Sequence, residues 1–164
     1  MKGLMTKADV EHEVLQAWES LASAVDSFSD SELEQPGVVD DWTVKDLLGH
    51  IAFWSQQGAR NLQVIVAGED DKVQRPDSVA VTDEWNERER KLRGDRSLSA
   101  LREEWLDSFQ AAMQALADCP PEKLDEQFRG RSVRVLFAED TYEHYREHLA
   151  HLNAWRREME TTEE

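Results

Sequence analysis

The sequence predicts an all-α fold: a four-helix bundle with one short extra helix in the connection between the second and third long helices. Three observations predict it. Four stretches of roughly 20 residues repeat apolar side chains at helical spacing. No stretch shows a convincing apolar-polar alternation of the kind a half-buried strand requires. Turn-forming residues, Pro36-Gly37, Gly68, Gly94 and Pro120-Pro121, punctuate the gaps between the stretches.

The first helix is expected from about Lys7 to Phe28. Val10, Val14, Ala17, Trp18, Leu21, Val25 and Phe28 form its apolar stripe, and His12 falls on the opposite, solvent side. Residues 29–41 break the pattern. The second helix begins near Thr43, an N-cap with Asp46 three residues later in the manner of a capping box. It runs to about Ala67, where Gly68 supplies a stop. Leu47, Leu48, Ile51, Trp54, Leu62 and Ile65 are its core positions, and His50, Gln57 and Asn61 make one inward edge unusually polar.

Residues 69–81, polar and holding Pro76, read as a loop. Thr82-Asp83 then caps a short helix through Trp85, Asn86 and Arg90 to about Arg93. The third long helix follows Ser97 and ends at about Asp118, before Pro120-Pro121. The fourth is expected as one continuous helix from Ser132 or Val133 to about Met159. The run Arg131–Phe137 has some strand character, which the helix-spaced pattern directly after it outweighs.

The chain has 164 residues, enough for one domain with a real core, expected over 1–160 with 161–164 as a frayed tail. A formal net charge of -16 argues against nucleic-acid backbones and anionic membranes as partners. The single cysteine, Cys119, excludes an intrachain disulfide and any CxxC redox or zinc motif. The N-terminus lacks a signal-peptide core and no stretch approaches about 18 apolar residues. A soluble, cytoplasmic protein acting on a small molecule is expected.

The stretch richest in chemistry is Thr141–Trp155. His144, His148 and His151 stand at i, i+4 and i+7, so their rings fall within roughly 60° of one another on a helix, beside the apolar face. An unsatisfied buried polar group costs about 1–3 kcal/mol. Three such rings therefore need partners, and a divalent metal is one good candidate. The plainer reading is a set of buried histidines bonded to carboxylates or carbonyls.

Two segments resemble a known superfamily. Asp40-Asp-Trp-Thr-Val-Lys-Asp-Leu-Leu-Gly-His50 is similar to the opening of the second helix in DinB/YfiT-like proteins. Phe137-Ala-Glu-Asp-Thr-Tyr-Glu-His-Tyr-Arg-Glu-His148, with Trp155 beyond it, is similar to their last helix. Together with Trp85-Asn86-Glu87 they most resemble the ClbS/DfsB branch. The resemblance implies a four-helix bundle, often a homodimer. In many members one divalent metal is held by three side chains, which fall here on His50, His144 and His148. Thiol-transferase members use the metal to activate a low-molecular-weight thiol. The ClbS branch is associated with resistance to a reactive natural product, through hydrolytic opening of its cyclopropane.

Neutral imidazoles suit Zn or Ni better than Mg or Ca, and three protein ligands leave an open position for water or substrate. Such a metal lowers the pKa of a bound water or thiol toward neutrality. His151 is expected as a general base, a supporting partner or a fourth ligand, and Glu147 as a group that orients a histidine. Trp54, Trp85, Asn86, Tyr145 and Trp155 are expected to wall the pocket. The leading expectation is a metal-dependent hydrolase or thiol S-transferase in detoxification. The alternatives are a metal-free hydrolase or sequestering protein of the ClbS kind, and a non-catalytic binding module.

Overall fold

The computed structural model describes residues 3–163. Helix α1 (Lys7–Asp26) opens with a capping box in which Thr6 and Asp9 satisfy each other's backbone N–H, and it buries the expected stripe from Val10 to Val25. His12 is exposed. A one-turn helix, α2 (Asp30–Leu33), is capped the same way by Ser29 and Glu32. A hairpin follows, pairing β1 (Pro36–Val39) with β2 (Trp42–Thr43).

Helix α3 (Val44–Val66) starts on the Thr43–Asp46 capping box and stops before Gly68, whose φ of +75° suits glycine. Helix α4 (Val79–Arg93) is capped by Ser78, one turn earlier than Thr82-Asp83, and buries no residue fully. Helix α5 (Leu98–Asp118) is capped by Ser97. A second hairpin pairs β3 (Gln127–Phe128) with β4 (Arg131–Ser132) through Arg129 and Gly130, both at positive φ. Helices α6 (Val133–Asp140) and α7 (Tyr142–Thr162) complete the chain. The long helices pack chiefly as α3 along α5 and α1 along α7 around one apolar core, so the chain is an all-α bundle.

Three expectations are corrected, and the reading of Arg131–Phe137 as mainly helical holds. Two short hairpins exist where no strand was expected. Each pairs at most four residues on a side, too few for alternation to register. The strand character of Arg131–Phe137 is real only at Arg131-Ser132, because the Ser132 side chain accepts from Val135 N–H and starts a helix. Helix α7 runs to Thr162, past its expected end near Met159, and Glu164 of the expected tail lies outside the described residues.

The third correction matters most. The last long helix is two helices, broken at Thr141 with φ -123° and ψ -106°. Thr141 Oγ1 donates to the Phe137 carbonyl at 2.7 Å, satisfying a group that the break frees. The break is held from outside. Arg75, in the loop before α4, bonds Asp140 at 2.8 Å and Glu139 at 3.1 Å. Gly58 of α3 lets the chain pass close: a Cβ there would lie 2.9 Å from Asp140 Cβ.

Candidate metal centre

His50 ends the second turn of α3, and His144 and His148 stand one turn apart at the start of α7. The bundle brings them together. His144 Nε2 lies 3.0 Å from His50 Nε2 and 2.9 Å from His148 Nε2. All three donor atoms lie within 4.8 Å of one another. His144 and His148 are buried, and His50 is half-buried.

Three converging Nε2 atoms cannot satisfy one another fully. A neutral imidazole nitrogen is either a donor or an acceptor, with one proton or one lone pair in the ring plane. His144 Nε2, with one proton or one lone pair, faces two neighbours and can make a full hydrogen bond with only one of them. A cation at the centre would let all three rings turn a lone pair inward, with their protons on Nδ1. Tetrahedral Zn with bonds of about 2.0–2.1 Å would place its nitrogens about 3.3–3.4 Å apart, so the two short separations would open slightly to admit it. Burial fits the same reading. It pushes the His50 pKa down to about 4, helped by the nearby Arg93 cation, and pushes His144 and His148 well below the usual value, each helped by its neighbouring histidines. All three rings are thus neutral near pH 7, the state in which imidazole binds metal. The residues present fit a divalent ion of the borderline kind.

The fourth histidine of the group, His151, places its Nδ1 3.2 Å from His148 Nδ1. His144 Nδ1, by contrast, is buried with no partner among the described residues.

The cluster lines a cleft of about 540 Å³. Trp54 and Asn86 stand on its wall, joined by a 2.8 Å bond from Trp54 Nε1 to Asn86 Oδ1. Glu147 reaches its rim, exposed, and bonds no histidine among the described residues. Trp85 stacks behind Trp54 at 6.1 Å and faces a neighbouring hollow instead. Tyr145 and Trp155 are core residues, not cleft walls. Tyr145 is fully buried with its hydroxyl 2.8 Å from Ser55 Oγ, and Trp155 stacks on Phe28 at 5.4 Å.

Sequence reasoning missed Trp42, Arg75 and Asp140. Trp42 sets its ring edge-on to His50 at 5.5 Å. Its place directly before the N-cap of α3 was the available signal. Asp140 is 4 % exposed and lines the cleft. Burial pushes its pKa up to about 6 against the pull of Arg75. No sequence signal joins Arg75 to a carboxylate 65 positions away.

Residues 14–157 match the family described as mycothiol maleylpyruvate isomerase N-terminal domain. The chain belongs to this family. Its DinB/YfiT-like fold is shared with solved structures of low sequence identity. An uncharacterised protein from Escherichia coli UTI89 superposes with a TM-score of 0.79 at 12% identity, over 95% of each chain. The protein titled Sibling Lethal Factor Precursor - DfsB gives 0.79 at 14% identity, over 96% of this chain and 98% of its own. A protein from Streptococcus pneumoniae gives 0.73 at 12% identity, over 96% and 93%. No curated protein matches the sequence. Family membership and the three clustered histidines together fit a metal-associated role toward a small molecule. No helix among the described residues is long and apolar enough to cross a membrane.

Proposed function

We propose that the protein is a small-molecule enzyme whose His50, His144 and His148 hold one divalent metal, Zn or Ni, and that it serves detoxification or resistance. The observation that carries the reading is the convergence of three neutral Nε2 atoms at the floor of a cleft. When bound, the metal would supply a Lewis acid that activates water or a low-molecular-weight thiol. The thiol arm draws support from the name of the family, which refers to mycothiol.

The chain's own residues supply the rest. His50 comes from one helix and His144 and His148 from another, so the packing of α3 against the start of α7 sets the geometry of the centre. Trp54 and Trp42 give the cleft apolar faces, and Asn86 fixes the Trp54 ring. Asp140, with its pKa near 6 and one oxygen bonded to Arg75, can hold a proton in the same cleft near neutral pH.

The test is metal content by elemental mass spectrometry on untagged protein, beside His50→Ala. About one metal per chain in the wild type, lost in the variant, is expected. Wild-type protein that stays metal-free after Zn and Ni are added refutes the reading. It would favour a metal-free hydrolase or sequestering protein, whose protection against a strained-ring electrophile survives a chelator.

A further inference from the structure

Among the described residues, only His148 of the three histidines in the proposed centre has a partner for its other ring nitrogen. Its Nδ1 lies 3.2 Å from His151 Nδ1, whereas His144 Nδ1 is buried and unpartnered. A hydrogen bond between two imidazole nitrogens needs one proton and one lone pair, so one ring of the pair donates and the other accepts. His148 Nε2 faces His144 Nε2 at 2.9 Å, at the centre of the cluster. For Nε2 to offer a lone pair there, the His148 proton must sit on Nδ1. His151 must then accept it, with its own proton on Nε2.

We propose that His151 is a positioning residue: it accepts the Nδ1 proton of His148 and so holds the His148 Nε2 lone pair toward the three-histidine centre. The assignment rests on the function proposed above, which needs the His148 Nε2 lone pair at the centre; the tautomer itself is measurable without metal. His151 reaches His148 from one turn further along the same helix, so the backbone of α7 holds the two rings in register. His151 is not a fourth ligand in this arrangement, because its Nδ1 lone pair is engaged with His148 and its Nε2 carries the proton. The result is an uneven centre. His148 is locked by a hydrogen bond, while the buried His144 ring is held by packing alone on its Nδ1 side. In metal proteins, loss of such an outer partner typically lowers metal affinity about 10- to 100-fold.

Two substitutions separate orientation from bulk. His151→Leu removes the acceptor, whereas His151→Asn keeps an oxygen acceptor close to the place of Nδ1. The first readout needs no metal. In metal-free protein at about pH 8, long-range proton–nitrogen NMR correlations report the tautomer of His148. The wild type and His151→Asn are expected to carry the proton on Nδ1, and His151→Leu to shift toward Nε2. The second readout is Zn affinity by chelator competition: about 10- to 100-fold weaker in His151→Leu and near wild type in His151→Asn. A His148 proton on Nε2 in the wild type overturns the proposal. So does one tautomer common to all three proteins, or an equal loss of affinity in both variants. If the wild type binds no Zn at all, the metal reading fails, and the tautomer measurement alone still decides the role of His151.

Discussion

Gly58→Ala is the sharpest single test of how the centre is assembled. Gly58 sits inside α3, and a Cβ there would meet Asp140 Cβ at 2.9 Å, with Asp140 Oδ2 and Thr141 Cγ2 both at 3.7 Å. Real Cβ atoms essentially never approach within 3.0 Å, so something must move. Asp140 Cβ is one bond from the backbone and its carboxylate is tied to Arg75, so the yielding element is the α6–α7 break itself. Two effects then oppose each other. Alanine in a helix interior gains about 1 kcal/mol over glycine. Forcing a methyl into a filled site costs about 1–3 kcal/mol, and it also disturbs a buried ion pair. With the disturbed ion pair added, overpacking wins by up to about 2 kcal/mol, equivalent to a Tm lower by up to about 8 °C for a chain of this size. Urea and thermal unfolding of metal-free protein measure it. Metal affinity should fall as well, because moving the break moves His144 and His148 against His50. A variant as stable as the wild type, or more stable, would refute the claim that this close approach fixes the break.

Two further outcomes follow from charge. The three centre histidines are neutral in the fold, with His50 pushed down to about 4, while in the unfolded chain each titrates near 6.5. Between those values the unfolded state binds more protons, so stability is complete above about pH 7 and falls as pH falls. Each histidine contributes about 1.4 kcal/mol per pH unit to that slope, and the raised pKa of Asp140 offsets about one of them below pH 6. Urea midpoints of chelator-treated protein at about pH 7.5, 6 and 5 check this, and a flat profile contradicts it. Arg75→Ala leaves the Asp140 carboxylate buried without its cation. It should cost about 2–3 kcal/mol at about pH 7.5 and much less at about pH 5, where Asp140 is protonated with or without Arg75. Equal losses at both pH values would mean that Arg75 acts through packing instead.

The sequence by itself determined what is local. Apolar spacing set the faces of α1, α3 and α5, and the Thr43–Asp46 pair marked the start of α3. The spacing of His144, His148 and His151 placed three rings on one side of α7, because the rotation per residue of a helix is fixed. A family resemblance added His50, which periodicity could not connect to residues 94 positions away.

Tertiary structure decided which of these side chains meet. Trp54 and Trp155 look alike in the sequence, yet one walls the cleft and the other stacks on Phe28, because the depth of a residue depends on what packs over its helix. The break at Thr141 has no proline or glycine to announce it. It exists because Gly58 admits Asp140 and Arg75 neutralises it, contacts made only once distant segments have packed. That break sets where α7 begins, and so where His144 and His148 stand relative to His50. A helical repeat encodes direction around one axis. The distance between two axes is set by the side chains between them, and only the folded chain brings those together.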